Sequence, residues 1–309
     1  MAKAVGEAIL RAGNPGRSGH ALSIRSARDL FAARERLAEL FGCADSSRFV
    51  FAENATVALN QAIKGVLRPG DHVVTTSVEH NSVMRPLRRM EEAGVPVTVV
   101  PAGEDGVTEA RDVIAAFRKA TRLVVIVHAS NVSGALQPVD AVVAAAHRRG
   151  ILTLIDAAQT AGSVPIDLSS LPVDLLAASG HKGLLGPQGT GFLFVREGVP
   201  IVPLIEGGTG SRSESDRQPE FFPDALESGT RNSVGAAGLA VSLAWILRKG
   251  VGTIRRREVA LVDLLLRGLS RTPGVTVYGP ADPERRGSAV SFRVEGMDPA
   301  DVGARLEKR

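Results

Sequence analysis

Residues 174–195 read DLLAASGHKGLLGPQGTGFLFV, which predicts a strand, a glycine-rich turn and a second strand. The two apolar runs, Leu175–Ala178 and Gly191–Val195, are short and unbroken, as is typical of strands buried on both faces of a sheet. Lys182 lies in the turn that follows the first run. Because an ammonium group is costly to bury, a lysine there suits chemistry that uses the neutral amine, such as Schiff-base formation. A solvated lysine beside a turn is the alternative interpretation.

Working back along the chain, the same kind of apolar run alternates with stretches of helical periodicity. Strand–helix–strand repetition predicts a doubly wound, mostly parallel α/β sheet. Right-handed crossovers then bring the loops that follow the strands to one edge, where ligands bind. The additional predicted strands are Phe49–Ala52, His72–Thr76, Val97–Val100, Leu123–Val127 and Leu152–Ile155, and the predicted helices between them are Thr56–Leu67, Ser82–Ala93, Ala110–Ala120 and Ala141–Arg149.

The segments on either side of this sheet differ from it in pattern. A helix is predicted over Ser26–Phe41, and the Gly-, Ser- and Pro-containing stretch Ile205–Pro223 predicts a long surface loop. The last part of the chain predicts helices over Val234–Arg248 and Thr253–Arg271, strands over Val275–Tyr278 and Ala289–Val294, and a helix from Pro299. We therefore predict an N-terminal segment over residues 1–20 associated with a small domain, a large domain over 21–235, and an incomplete small α+β domain over 236–309.

Composition argues against several classes of protein. The chain has 37 Lys and Arg against 33 Asp and Glu, and it has no compact basic run with interleaved aromatics, so we expect no nucleic-acid partner. Its one cysteine, Cys43, excludes an internal disulfide and argues against a cysteine-based metal site. No apolar run approaches the length of about 18 residues that indicates a membrane span, and the N-terminus does not resemble a signal peptide. We expect a cytoplasmic protein with no membrane partner.

Four more polar segments follow predicted strands and so share the edge that carries Lys182. A strand-terminal carboxylate can pair with a pyridine nitrogen, a helix N-terminus can bind phosphate, and an imidazole can stack on a ring. Taken singly, these segments are ordinary caps and turns. Their occurrence at the ends of successive strands favours one crevice that holds a cofactor. The segments are Glu53-Asn54-Ala55-Thr56, Glu79-His80-Asn81-Ser82, Asn131-Val132-Ser133-Gly134 and Asp156-Ala157-Ala158-Gln159.

Two motifs together resemble a known family. Ser179-Gly180-His181-Lys182 with its trailing Gly-Pro-x-Gly-x-Gly, and Asp156-x-Ala158-Gln159, are similar to the class V aminotransferase family of pyridoxal 5'-phosphate (PLP) enzymes, fold type I. The nearest branch is that of the cysteine desulfurases and selenocysteine lyase-like enzymes. The likeness extends from Gly13-Asn14-Pro15-Gly16-Arg17-Ser18-Gly19-His20 to about Arg309, and it implies that the large domain binds PLP.

The resemblance implies a role for each residue of the crevice. Lys182 is similar to the lysine that holds PLP as a Schiff base and moves the substrate α-proton, and His80 to the histidine that stacks on the ring. Asp156 resembles the partner of the pyridine nitrogen. The remaining cofactor-binding residues are Gln159 and Asn131 near the phenolic oxygen and the substrate, Ala55, Thr56, Ser179 and His181 in the phosphate cup, and Gly229 and Thr230, which reach the phosphate of a neighbouring subunit and imply a homodimer with shared active sites.

The implied reaction converts L-cysteine to L-alanine through an external aldimine, with sulfur passed to an acceptor protein. The family's pattern extends beyond this sequence at both ends, and the part after Arg309 would hold the arginine for the substrate carboxylate and the persulfide-forming cysteine. We therefore expect a truncated chain that binds PLP but releases sulfide poorly. Two alternatives stay open: an aminotransferase, β-lyase or selenocysteine lyase-like activity, and a non-catalytic homologue acting as a subunit. A nicotinamide-dependent dehydrogenase is disfavoured because no Gly-x-Gly-x-x-Gly follows the first strand.

Overall fold

A computed structural model describes residues 1–15, 19–212 and 214–308. Within these residues a seven-stranded sheet has the strand order β1-β7-β6-β5-β4-β2-β3. Of its strands, β7 pairs antiparallel with both of its neighbours, and the other pairings are parallel. The sheet confirms the mostly parallel α/β fold that the sequence predicts. Its strands are β1 (Phe49–Ala52), β2 (His72–Thr76), β3 (Val97–Val100), β4 (Thr121–Val127), β5 (Leu152–Asp156), β6 (Leu175–Ser179) and β7 (Gly191–Val195).

Helices cover both faces of this sheet. Neighbouring residues of one strand belong to opposite core clusters: Val73 packs with one cluster and Val74 with the other. This two-sided burial is the physical reason why the strands are unbroken apolar runs in the sequence. The helices are α1 (Ala2–Ile9), α2 (Ala21–Leu40), α3 (Ala55–Val66), α4 (Asn81–Glu92), α5 (Ala110–Ala115), α6 (Val139–His147), α7 (Ser233–Lys249), α8 (Val251–Ser270) and α9 (Pro299–Glu307).

Three of the described helices differ from the sequence prediction by more than two residues. Helix α5 ends at Ala115, not Ala120, because residues before β4 form a turn in which the Arg118 N–H donates to Thr121 Oγ1 at 2.6 Å. Helix α2 begins at Ala21, five residues before the predicted Ser26, and the imidazole of His20 accepts from the Ser23 N–H at its start. Helix α1 was not predicted; it packs against α7, with Ala8 buried.

The last part of the chain contains a separate antiparallel pair, β8 (Val275–Tyr278) and β9 (Ser291–Val294). The division into residues 1–20, 21–235 and 236–309 stays a prediction. Residues 16–18 of the predicted N-terminal motif and residue 309 lie outside the described residues. Among the described residues no single helix is long and apolar enough to cross a membrane; α7 and α8 meet that criterion only as a pair bent by 81°.

Candidate active site

The predicted site residues meet at one edge of the sheet. Strands β1, β2, β4, β5 and β6 end there, and the loops that follow them surround a cavity of about 280 Å³. This volume is near the lower end of the range for small-molecule pockets. The lining includes nine of the predicted residues, Ala55, Thr56, His80, Asn131, Asp156, Gln159, Ser179, His181 and Lys182, together with Asn54, Ser82, Val127, Ala129 and Ala158.

Lys182 lies three residues after β6, in a turn that is closed by backbone hydrogen bonds. The Leu185 N–H donates to the Lys182 carbonyl at 2.9 Å, and the Gly186 N–H donates to the Gly180 carbonyl at 2.7 Å. At Gly183 an added Cβ would stand 2.5 Å from the Ala161 carbonyl oxygen, so only glycine permits this approach. Lys182 is half-buried, less enclosed than the sequence predicts, and within the described residues its amine has no hydrogen bond or salt bridge. The amine is therefore free to react.

Asp156 is the last residue of β5, and only 2% of it is exposed. Its Oδ1 accepts the N–H of Ala158 at 2.9 Å. Burial raises the pKa of the Asp156 carboxyl above its ordinary value, while this hydrogen bond and the nearby Lys182 and His80 side chains oppose the increase. A buried carboxylate of this kind gains stability from a cationic ligand, such as a protonated ring nitrogen.

The first turn of α3 provides backbone donors for an anion. The Ala55 N–H donates to Ser179 Oγ at 2.9 Å, and the Val57 N–H is capped by Asn54 Oδ1 at 3.1 Å. The cap of α3 is thus Asn54. The Thr56 N–H has no acceptor among the described residues, and Thr56 and Ser179 both line the cavity. A helix N-terminus with a free N–H and a nearby hydroxyl suits a phosphate group.

His80 is exposed and caps α4. Its Nδ1 accepts from the Ser82 N–H at 3.1 Å and lies 2.7 Å from Ser82 Oγ, which fixes the ring at the mouth of the cavity. Asn131, Gln159 and His181 also line the cavity, and within the described part of the chain their side chains make no hydrogen bond. Their donors and acceptors are available to a ligand.

The carboxyl group of Glu79 is buried, and the sequence pattern indicates no role for it. Its Oε1 accepts from Thr76 Oγ1 at 2.7 Å and from the Val127 N–H at 2.9 Å, so it joins the ends of β2 and β4 beside His80. Its Oε2 is buried without a partner among the described residues. Burial raises the pKa of Glu79 to about 8, and the neighbouring Asp156 charge adds to the increase. In the sequence, the signal that could have indicated Glu79 is its position directly before His80.

We expect Glu79→Gln to change how stability depends on pH. Below the ordinary pKa of 4.5 the carboxyl is protonated in both states; between 4.5 and about 8 only the unfolded state loses the proton, so stability falls as pH rises. Above about pH 8 this decrease in the free energy of unfolding is complete and amounts to on the order of a few kcal/mol. The amide of the variant keeps one oxygen that can accept both hydrogen bonds, and it does not titrate, so this loss is removed.

Urea unfolding of the PLP-free protein from pH 4.5 to 9 measures this effect. Compared with the wild type, Glu79→Gln should have a free energy of unfolding that depends less on pH and is higher above pH 8. The matched control is Glu104→Gln, at an exposed loop position. The same dependence of stability on pH in the wild type and in Glu79→Gln would contradict a raised pKa for Glu79.

Gly229 and Thr230 do not line this cavity. Thr230 Oγ1 donates to Asn14 Oδ1 at 3.3 Å, and the Gly229 N–H donates to the Gly208 carbonyl at 2.8 Å. Their segment is attached to α2 and to β1 through the buried Glu227. Its Oε1 accepts from Arg34 Nη1 of α2 at 2.9 Å, in an ion pair, and from the Phe51 N–H of β1 at 2.6 Å. The segment is thus anchored, but its glycine and threonine lie outside the cavity of their own chain.

The cavity fits PLP in the chemistry of its groups. The free amine of Lys182 suits an aldehyde, the buried carboxylate of Asp156 suits a ring nitrogen, and the α3 N-terminus with Ser179 suits a phosphate. These groups are distributed around one small space, as a single flat cofactor with an aldehyde, a ring nitrogen and a phosphate requires.

Comparisons with known proteins agree with this fit. A family model described as aminotransferase class-V matches residues 2–309. A probable cysteine desulfurase of Methanothermobacter thermautotrophicus is 37% identical over 300 residues, covering 96% of this chain and 74% of the relative. A cysteine desulfurase of Pectobacterium atrosepticum is 33% identical over 299 residues, covering 94% of this chain and 72% of the relative.

A solved structure has the same architecture. The apo structure of a cysteine desulfurase from Thermococcus onnurineus aligns with a TM-score of 0.91 at 32% identity, over 99% of this chain and 79% of that one. The family resemblance and the PLP fold type I predicted from the two motifs are both confirmed. The chain belongs to the aminotransferase class V family and is a PLP-dependent enzyme of the cysteine desulfurase-like kind.

Proposed function

We propose that the PLP-loaded protein removes sulfur from L-cysteine and forms L-alanine. The observation that carries this proposal is the cavity in which the amine of Lys182, the carboxylate of Asp156 and the free N–H of Thr56 surround one space. The similar proteins named cysteine desulfurases supply the substrate class. PLP, when bound, supplies an electron sink for charge that develops at the substrate Cα.

Each side chain of the cavity then has a defined task. Lys182 binds the cofactor through its amine and afterwards moves the proton at the substrate Cα. Asp156 holds the proton on the ring nitrogen through its opposite charge. His80, fixed by Ser82, would stack on the cofactor ring. Ala55, Thr56, Ser179 and His181 bind the phosphate, and Gln159 and Asn131 orient the ring oxygen and the substrate.

The overall reaction needs a thiol that accepts the sulfur. The Cβ–S bond of cysteine breaks, an acceptor thiol becomes a persulfide, and the former Cβ gains a hydrogen to become the methyl group of alanine. Cys43 is not placed for this step, because it follows α2, donates to the Asp45 carbonyl at 3.4 Å and does not line the cavity. We propose that the thiol comes from an acceptor outside this cavity, such as a partner protein.

We further propose a homodimer, with Gly229 and Thr230 of one subunit completing the phosphate site of the other. Their position outside the cavity of their own chain supports this arrangement. A cytoplasmic location, where thiol acceptors stay reduced, fits the same chemistry.

The test is a reaction of PLP-loaded protein with L-cysteine and dithiothreitol, in which alanine and sulfide are both measured. We expect slow formation of alanine and sulfide in equal amounts, since this chain is expected to release sulfide poorly, and Cys43→Ser should react at the wild-type rate. Loss of alanine formation in Cys43→Ser would refute the external origin of the thiol. Absence of alanine from cysteine in the wild type would refute the desulfurase proposal itself.

A selenocysteine lyase-like reaction is the second candidate. The position of Cys43 outside the cavity favours it, since release of selenium needs no enzyme cysteine as nucleophile. Parallel assays with L-selenocysteine and with aminotransferase substrates separate the candidates. A protein that retains no PLP would instead favour a non-catalytic subunit.

A further inference from the structure

Arg286 is the largest fully buried side chain, and within the described residues it has no acidic partner. Among the described residues its guanidinium donates to backbone carbonyls alone: Nη1 to Pro280 at 2.9 Å, and Nη2 to Ser133 at 2.8 Å, Ala289 at 3.0 Å and Tyr278 at 3.2 Å. A buried cation without a counterion is costly, so it persists only where its hydrogen bonds are needed. These bonds join the β8–β9 region to one loop of the large sheet.

That loop, residues 129–135 after β4, is the Asn131 loop. At one end Ala129 and Asn131 line the cofactor cavity. The loop is held compact by Ser130, whose Oγ accepts the N–H groups of Val132 at 3.2 Å and Ser133 at 3.3 Å. Ser133 lies two residues after Asn131 in this compact loop, so the position of the Ser133 carbonyl constrains the backbone that carries Asn131.

The other end of the Asn131 loop is fitted against the β8–β9 region. The Gly287 N–H donates to the Gly134 carbonyl at 2.8 Å, and Ser291 Oγ donates to the Val132 carbonyl at 2.6 Å. Gly134 has φ +74°, and an added Cβ would stand 2.2 Å from the Ala289 carbonyl oxygen. The contact therefore leaves no space for a side chain at position 134. Arg286 donates to carbonyls on both sides of this contact, those of Ser133 and Ala289.

We propose that Arg286 is a positioning residue that sets the place of Asn131 at the cofactor cavity according to the position of the β8–β9 region. The proposal deepens the function proposed above and rests on it, since Asn131 is the residue taken to orient the amino-acid substrate. Arg286 touches neither the cavity nor the cofactor, so its effect passes through the Ser133 carbonyl.

The test compares Arg286→Lys with the wild type as PLP-loaded proteins. A lysine has one ammonium in place of the planar guanidinium and cannot serve all four carbonyls at once. We expect the apparent Kd for L-alanine, taken from the change in PLP absorption, to rise about ten-fold or more. Hydrogen exchange of residues 129–135 should become faster, while PLP retention stays as in the wild type. The matched control, Arg285→Lys, changes the neighbouring arginine, whose side chain is exposed.

Two results would overturn the proposal. One is a Kd for L-alanine within about two-fold of wild type in Arg286→Lys. The other is a higher Kd without faster hydrogen exchange in the Asn131 loop. If Arg286→Lys does not fold, Ser291→Ala decides the matter, since it removes only the bond to the Val132 carbonyl and should weaken alanine binding about three-fold with faster loop exchange. Should wild-type protein show no response to L-alanine, the proposed function fails, and loop exchange alone still tests the role of Arg286.

Discussion

Lys182→Ala is expected to abolish covalent attachment of PLP and to lower the rate of alanine formation from L-cysteine by about 10³-fold or more. In the proposed mechanism, the substitution removes both the amine that links the cofactor and the group that moves the α-proton. Reduction with borohydride followed by mass spectrometry measures the first effect, because it makes the lysine–PLP linkage permanent. The visible absorption spectrum gives an independent reading of the same linkage.

Two further variants make this experiment specific. Lys182→Arg keeps a positive charge near Asp156 but has no nucleophilic amine, and it should fail in the same way as alanine. Lys119→Ala changes an exposed lysine and should retain both linkage and activity. A reduced pyridoxyl adduct that persists on another residue in Lys182→Ala would overturn the assignment of the cofactor lysine.

Asp156→Asn is expected to leave PLP attached to Lys182 and to lower the rate of alanine formation by about 10²-fold or more. Asparagine keeps an oxygen that can accept the Ala158 N–H, so the local fold is preserved. It has no charge to keep the ring nitrogen protonated, and the electron sink is therefore weakened. Single-turnover absorption measurements with L-cysteine separate this effect on chemistry from any effect on binding.

Asp140→Asn, an exposed position at the start of α6, is the matched control and should react at the wild-type rate. A normal single-turnover rate in Asp156→Asn would show that the ring nitrogen needs no charged partner in this protein. Loss of PLP in that variant, with the fold retained, would instead place Asp156 among the residues needed for cofactor affinity.

The strands of the large sheet were predictable because burial on both faces requires unbroken apolar runs, which are visible in the sequence. Five of the seven agree with the predicted bounds at their carboxyl ends, and β5 and β6 each extend one residue further. The overlong prediction for α5 failed for a tertiary reason. The Arg118 N–H, which a helix as far as Ala120 would direct to the Ile114 carbonyl, donates instead to Thr121 Oγ1 at 2.6 Å, and Thr121 is the first residue of β4.

The candidate site was predictable where its residues follow strands in order. The Lys182 turn and Asp156 carry enough local pattern to be singled out, and the order of the strands then brings them to one cavity. The role of Glu79 was not predictable, because it depends on the distance between the ends of β2 and β4. The pKa of Glu79 follows from the same burial.

The sequence by itself determined the class of fold and the cofactor chemistry, and it predicted Lys182 as the lysine that carries the cofactor, because each depends on residue types at short spacing along the chain. Only the tertiary structure decided that β7 runs against its neighbours, that Gly229 and Thr230 lie outside their own cavity, and that Arg286 joins the Asn131 loop to the β8–β9 region. The physical reason is the same in each case. Strand direction and contacts between distant segments depend on how the whole chain packs, and residues 133 and 286 carry no shared local pattern that could indicate their hydrogen bond.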